Sequence, residues 1–182
     1  MALVNPVIFQ VVGYQNSGKT TITTKLIKTL AGKGLKTVTI KHHGHGGRPA
    51  SVAQKDTEKH LHAGAVASVV EGEGSLLLKA VNFETSLEDQ IELMKFFQPD
   101  VILIEGYKLK SFPKLLLIRN ESDLTLINTV SNIIAIIYWE EDMLKQITSP
   151  INVPCFHVDD ENTITWTVEN LQELVHKIDQ KN

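Results

Sequence analysis

A short loop near the beginning of the chain contains the residues whose types and spacing best suit chemistry. Residues 13–20, GYQNSGKT, fit the pattern G-x-x-x-x-G-K-[ST], which binds phosphate where it follows a strand and opens a helix. In such a loop the backbone N–H groups surround an anion, and the glycines let the backbone approach it closely. Lys19 is expected to reach the β- and γ-phosphates, and the Thr20 hydroxyl to ligate Mg²⁺. The loop therefore predicts a site for a nucleoside triphosphate or diphosphate.

Two carboxylates are candidates for the chemistry beside this loop. Glu105 directly follows the apolar strand predicted at residues 101–104, and ligands of open α/β sheets bind at that carboxyl edge. Its expected role is to coordinate Mg²⁺, directly or through water, or to orient the attacking water; a solvated glutamate at a strand end is the alternative. Asp56 is the second candidate, as a catalytic or metal-binding carboxylate, as a helix cap, or as both.

A histidine-rich segment, residues 41–55, separates the second predicted strand from the next helix. Its length and its irregular, glycine-rich sequence favour a functional loop. His42, His43 and His45 suit Zn²⁺ or Ni²⁺, but no cysteine pair and no H-E-x-x-H pattern accompanies them. A histidine here equally suits a hydrogen bond to a phosphate, a pterin or a partner protein. Lys41, at the end of the second strand, either faces the same anionic pocket or is a surface lysine.

The elements around these residues alternate between strand and helix. Ile22, Leu26 and Leu30 recur every four residues, which predicts a helix over residues 19–31 that ends at the following glycines. Ser86 and Asp89 form a capping-box pattern at the start of another helix. The alternation predicts a layered α/β domain with a mainly parallel sheet, helices on both faces and one β-hairpin. The predicted strands are residues 7–12, 35–40, 65–70, 75–81, 101–104, 114–118, 132–138 and 155–158; the remaining helices lie at about 56–64 and around 171–178, and residues 119–128 stay unassigned.

The composition excludes several classes of protein. The chain has 182 residues, which favours a single domain over 1–182, and 18 Lys+Arg against 21 Asp+Glu give a net charge of −3. Without a basic stripe we expect no nucleic-acid partner. The single cysteine, Cys155, cannot form an internal disulfide, and the longest apolar run, residues 133–139, is too short to cross a membrane. Since the N-terminus also lacks a signal-peptide pattern, we expect a cytoplasmic protein.

The residues themselves indicate neither which nucleotide base is bound nor a fast mechanism of nucleotide hydrolysis. GTPases of the common type carry N/T-K-x-D after a late strand, whereas residues 139–142 here are WEED. No glutamine or arginine finger is evident, although Arg48 and Arg119 are available, so slow intrinsic hydrolysis is expected. A small-molecule kinase and a metal-delivery G protein, the latter resting on the histidines, stay open as alternative functions.

Four blocks follow one another in a specific order along the first two thirds of the chain. They are GYQNSGKTT at 13–21, IKHHGHGG at 40–47, KDTEKHLHAGA at 55–65 and LIEGYKLKSFPK at 103–114. Together they resemble the MobB-type family of molybdopterin-guanine dinucleotide biosynthesis adapter proteins. The resemblance implies a P-loop NTPase fold, GTP and Mg²⁺ as ligands, at most weak GTPase activity, and a homodimer. It also implies work beside a MobA-type guanylyltransferase, which joins GMP to molybdopterin, and it leaves a contact with molybdopterin open.

The family pattern also matches individual positions of this chain. Asp56 matches the K-D-[ST] block, and Glu105, Gly106 and Lys108 match the E-G-[FY]-K block. Many relatives have several aspartates after the histidines, where residues 46–49 here are GGRP, so roles given to those acids do not carry over. With Thr20, Glu105 and Asp56 expected at the metal, the resemblance implies that the nucleotide is bound by Gly13, Asn16, Ser17, Gly18, Lys19, Thr20, Thr21, Lys41 and His42.

Overall fold

The computed structural model of the chain describes residues 5–42, 55–148 and 152–180. By its internal contacts the chain divides into two compact units, one of residues Met1–Gly44 with Ile91–Asn182 and one of residues His45–Gln90. The strands are β1 (Val7–Val12), β2 (Thr37–Lys41), β3 (Ala67–Gly72), β4 (Ser75–Ala80), β5 (Val101–Glu105), β6 (Lys114–Ile118), β7 (Ile133–Tyr138) and β8 (Cys155–His157). The helices are α1 (Lys19–Gly32), α2 (Lys55–His62), α3 (Leu87–Lys95), α4 (Thr125–Thr129), α5 (Met143–Thr148) and α6 (Asn162–Asp179).

The larger unit is built on a six-stranded sheet with the order β2-β5-β1-β6-β7-β8. Every neighbouring pair in this sheet is parallel. Strands β5 and β6 are buried along their whole length, as their nearly continuous apolar sequences require of strands that are covered on both faces. The predicted parallel sheet is confirmed.

Hydrophobic clusters cover both faces of this sheet because side chains alternate along each strand. On one face Phe9, Val11 and Leu103 pack with residues of α1 and α6, which supply the Leu26 and Leu171 side chains among others. The other face packs against the short helices α4 and α5 and includes Val12, Leu116, Ile136, Leu126 and Ile147. The larger unit is therefore a three-layer α/β sandwich.

The topology brings chemistry-bearing residues to one edge of the sheet. Strand β1 lies between β5 and β6, and it leads directly into the phosphate loop. In the parallel register Glu105 at the end of β5 pairs with Val11 of β1 on one side and with Lys41 of β2 on the other. The carboxyl ends of parallel strands meet at the same edge, so the loop, Glu105 and Lys41 become neighbours although the sequence separates them.

The smaller unit contains α2 and an antiparallel pair formed by β3 and β4. The pairing runs from Ala67 opposite Ala80 to Gly72 opposite Ser75, which confirms the predicted hairpin. Several large apolar side chains of this hairpin are exposed: Val69, Leu76, Leu77 and Leu78. The capping box at the start of α3 is also confirmed, because the Asp89 carboxylate accepts hydrogen bonds from the Ser86 N–H and hydroxyl.

Several predicted boundaries were wrong by a few residues. Strand β2 begins at Thr37 rather than at residue 35, and β3 covers Ala67–Gly72 rather than residues 65–70. The unassigned stretch forms a short 3-10 helix, Glu121–Leu124, and then α4; helix α5 was not predicted. These helices are four to six residues long, too short for a hydrophobic period to identify them. Within the part of the chain that the structure describes, no helix is long and apolar enough to span a membrane.

Candidate nucleotide-binding site

The phosphate loop connects β1 to α1, and its backbone is packed tightly at the first glycine. A Cβ atom on Gly13 would lie 2.6 Å from Ser17 Oγ and 2.9 Å from the Leu117 carbonyl oxygen, so only glycine fits. Gly18, directly before α1, has a left-handed φ of 93°, which a side chain would strain. The first backbone N–H groups of α1 lack helical partners and lie next to this turn, as a phosphate site requires.

Lys19 lies over the loop that it follows. Its ammonium group donates a hydrogen bond to the Tyr14 carbonyl at 2.6 Å, so it rests on a neutral acceptor rather than on a carboxylate. Burial lowers the pKa of Lys19, and the charges of Lys41 and Lys108 lower it further, while Glu105 acts in the opposite direction. An incoming phosphate would relieve this unfavourable environment for a cation.

Thr20, Glu105 and Lys41 form a closely bonded cluster at the end of β5. The Thr20 hydroxyl lies 2.9 and 3.1 Å from the two carboxylate oxygens of Glu105, which is buried. The Lys41 ammonium group donates to Thr20 Oγ1 at 3.0 Å and pairs with Glu105 Oε1 at 3.0 Å. A hydroxyl and a carboxylate beside a phosphate loop are a donor set that suits Mg²⁺, so these residues fit the predicted ion.

The residues after Glu105 join β5 to the strands on both sides. The Gly106 N–H donates to the Val11 carbonyl at 3.1 Å, and the His42 N–H donates to the Glu105 carbonyl at 2.9 Å. Gly106 has a φ of 99°, and a Cβ there would lie 3.0 Å from His42 Cβ, so a glycine is needed for the close approach of the two chains. The His42 ring lies 4.4 Å from the Tyr107 ring. His42 therefore borders the site through the loop after β5.

Trp139 and Arg119 meet the phosphate loop from its other side. The Trp139 indole N–H donates to the Ser17 carbonyl at 3.1 Å, and a Cβ on Gly18 would lie 3.3 Å from the indole ring. The Arg119 guanidinium lies 5.7 Å above the centre of that ring and donates to the Asn16 carbonyl at 3.4 Å. Sequence reasoning missed Trp139; its only signal was an aromatic residue directly after a buried strand.

The other predicted site residues belong to the smaller unit or fall outside the described residues. Asp56 belongs to the smaller unit, where it pairs with Lys59 at 2.9 Å and its side chain is 83% exposed. Asp56 lies within helix α2, Lys55–His62, so its predicted position as the cap was wrong. His43, His45 and Arg48 fall outside the described residues. Across residues 5–42, 55–148 and 152–180, no three His, Cys, Asp or Glu side chains are grouped for a metal ion.

Comparison with known proteins identifies the family. The family described as "Molybdopterin guanine dinucleotide synthesis protein B" matches residues 8–139, which include the phosphate loop, Glu105 and Trp139. The chain belongs to this MobB family. It is 40% identical over 174 residues to a "probable molybdopterin-guanine dinucleotide biosynthesis adapter protein" of Bacillus subtilis, covering 94% of this chain and 98% of the relative.

Solved structures of MobB proteins have the same fold. The crystal structure of Bacillus subtilis MobB is 34% identical, with a TM-score of 0.75, and the match covers 90% of this chain and 96% of that chain. The MobB homologue of Bacillus stearothermophilus is 32% identical, with a TM-score of 0.72, and the match covers 91% and 98%. The predicted P-loop NTPase fold and the resemblance to MobB adapter proteins are thereby confirmed.

Proposed function

We propose that this chain is a GTP- and Mg²⁺-binding adapter in the synthesis of molybdopterin-guanine dinucleotide. The observation that carries the proposal is the cluster of Lys19, Thr20 and Glu105 at the carboxyl edge of the sheet. The family supports the pathway, since its members are named for molybdopterin-guanine dinucleotide synthesis. The guanine preference rests on that family, because the segment after β7 has no N/T-K-x-D.

Each residue has a defined task in this proposal. The loop backbone and Lys19 hold the phosphates, with Gly13, Asn16, Ser17, Gly18 and Thr21 shaping the loop and the start of α1. Thr20 and Glu105 would hold the Mg²⁺ ion, which would supply positive charge against the phosphates. The Lys41 ammonium group bridges these two oxygens and would have to shift toward a phosphate when the ion enters. His42 borders the same site, and Asp56 is retained as a second proposed carboxylate.

Hydrolysis by this site is proposed to be weak. Arginine beside the transferred phosphate accounts for much of the rate in such sites, and Arg119 donates instead to the carbonyl of Asn16. The chain would then act less as an enzyme than as a protein whose contacts depend on the bound nucleotide. Its proposed partner is a MobA-type guanylyltransferase in the cytoplasm, and a contact with molybdopterin is part of the same proposal.

A homodimer is proposed for the same protein. The hairpin of β3 and β4 exposes Val69, Leu76, Leu77 and Leu78, and a two-stranded sheet by itself is marginally stable in water. A second copy that covers these side chains would bury the apolar surface. Analytical ultracentrifugation at micromolar protein concentration tests the proposed homodimer, and a purely monomeric protein would contradict it.

The decisive experiment measures nucleotide binding by calorimetry with GTP, GDP and ATP, with and without Mg²⁺. We expect GTP to bind more tightly than ATP, and Lys19→Ala to weaken GTP binding by about 100-fold, because a charge-assisted bond to phosphate is lost. Lys33→Ala is the matched control, because Lys33 is exposed just beyond the opposite end of α1. Undiminished GTP binding by Lys19→Ala would overturn the site, and tighter ATP binding would overturn the guanine preference.

A further inference from the structure

Lys108 touches the phosphate loop at the residue that also anchors Lys19. Its ammonium group lies 4.4 Å above the centre of the Tyr14 ring, and Tyr14 is the second residue of the loop. The Tyr14 carbonyl accepts the hydrogen bond from Lys19 at 2.6 Å. Two cations therefore meet one loop residue, one at its ring and the other at its backbone.

The loop after β5 holds Lys108 in this position. Gly106 and Tyr107 both have positive φ angles, 99° and 52°, which turn the chain sharply after Glu105. The Gln10 side-chain amide donates to the carbonyls of Gly106 and Tyr107 at 3.0 and 2.9 Å, so the turn is bonded to β1. The Lys110 N–H closes the turn on the Tyr107 carbonyl at 2.9 Å. Lys108 thus extends from an anchored turn.

Three lysines meet at the phosphate loop. Lys19 and Lys108 both contact Tyr14, and the Lys41 ammonium group donates to the hydroxyl of Thr20, the residue after Lys19. Glu105, the carboxylate bonded to this group, already pairs with Lys41 and accepts from Thr20. Such a group of lysines is costly by itself and is stabilised by a polyanion.

The contact between Lys108 and Tyr14 is also one that a ligand can replace. A cation over an aromatic ring is held more weakly than a cation that donates to phosphate oxygens. Lys19 is expected to reach the β- and γ-phosphates, and Lys41 lies beside the oxygens that are proposed to hold the metal ion. A third lysine, on the strand β5 side of the loop, suits a third phosphate.

We propose that Lys108 recognises the terminal phosphate of a nucleoside triphosphate. On binding, its ammonium group leaves the Tyr14 ring and donates to the oxygens of the γ-phosphate, which a diphosphate lacks. Lys108 then adds to the affinity for a triphosphate an interaction that a diphosphate cannot make. This inference rests on the proposed nucleotide-binding function and adds a residue that binds only the third phosphate.

The test compares triphosphate and diphosphate affinities by calorimetry in the presence of Mg²⁺. Wild type, Lys108→Met, Lys108→Arg and Lys33→Met are titrated with GTP, GDP, ATP and ADP, and circular dichroism confirms that each variant is folded. We expect Lys108→Met to weaken triphosphate binding by about tenfold or more and to change diphosphate binding by less than about twofold. Lys108→Arg, which keeps a cation, should retain most of the preference, and Lys33→Met should match wild type.

The outcomes separate this inference from the proposed function. Equal losses for triphosphates and diphosphates, or no loss at all, would overturn the role of Lys108 while Lys19-dependent binding stands. Wild type that binds none of the four nucleotides would overturn the proposed function and this inference together.

Discussion

The two sides of the phosphate loop are built from different kinds of interaction. On the side of β5 and β2 the loop meets charges, with Glu105 bonded to Thr20 and to Lys41. On the side of β6 and β7 it meets Arg119 and the Trp139 indole, both of which donate to backbone carbonyls of the loop. The first side offers groups that can exchange partners, and the second side offers bonds to the loop itself.

This difference explains how the loop can have a fixed backbone conformation and still bind a ligand. Three of its carbonyls accept bonds from side chains: Tyr14 from Lys19, Asn16 from Arg119 and Ser17 from Trp139. Side-chain donors thus bond to these carbonyls, while the Ser17 N–H donates to the Tyr14 carbonyl at 3.4 Å and the first N–H groups of α1 lie beside the loop, where an anion can bind. The charged side, in contrast, keeps Lys41 and Glu105 paired with each other, so each has an interaction that a metal ion and phosphates can take over.

Among variants that compare these two sides, the largest expected effect comes from Glu105→Gln on the β5 and β2 side. The neutral amide is a weaker ligand for Mg²⁺ than the carboxylate, so GTP affinity in Mg²⁺ should fall by about 10–100-fold, toward the value measured in EDTA. Calorimetry with Mg²⁺ and with EDTA measures both values. Glu173→Gln is the control, because Glu173 lies on α6 in an exposed pair with Lys177. A similar loss in EDTA would mean that Glu105 acts on the loop rather than on the metal.

A smaller effect should come from Lys114, a buried cation on the β6 side whose ammonium group bonds to backbone carbonyls. Its ammonium group is buried and donates to the carbonyls of Lys110 and Ser131 at 2.7 and 2.5 Å. Burial lowers its pKa from 10.5 to about 8, so between these values the unfolded chain holds a proton that the folded chain has released. The contribution of Lys114 to stability must therefore rise as the pH increases from about 8 to about 10.5.

Urea unfolding of wild type and Lys114→Met across this pH range tests whether the stabilising contribution of Lys114 rises with pH. The difference in unfolding free energy, wild type minus variant, should increase with pH by about 1–3 kcal/mol. Taking the difference cancels the titration of the other lysines and tyrosines. A constant difference across the range would show that folding does not lower the pKa of Lys114.

The smallest expected effect comes from Trp139→Phe on the β6 and β7 side of the loop. Phenylalanine keeps an aromatic ring near Gly18 but cannot donate to the Ser17 carbonyl, so stability should fall by about 1 kcal/mol. Nucleotide affinity should fall by the same factor with Mg²⁺ and with EDTA, unlike the Glu105 variant. Trp166→Phe on α6 is the matched control, since Trp166 packs against Phe156 away from the loop. If Trp139→Phe lowered nucleotide affinity only in the presence of Mg²⁺, Trp139 would act on the metal site as Glu105 does, and the two sides of the loop would not differ in role.

The parts of the fold that sequence could predict are those with strong local patterns. Strands β1 and β6 have the predicted bounds, and α1 ends one residue later than predicted. The capping box before α3 was predictable because Ser86 and Asp89 bond within one turn. Helix α5 was not, because six residues carry too little periodicity, and its Ile147 is buried by packing against the sheet.

By itself the sequence determined the phosphate loop, the strand before it and the helix after it, since their spacing depends on residues within one element or the next. Only the tertiary structure decided which distant residues meet that loop. The parallel register places Glu105 beside Thr20, 85 residues away, and the indole of Trp139 beside Ser17, 122 residues away. Strands that are neighbours in the sheet are not neighbours in the chain, so no local spacing shows which of their ends lie together. The same assembly put Lys108 over Tyr14, where the sequence assigned it no role.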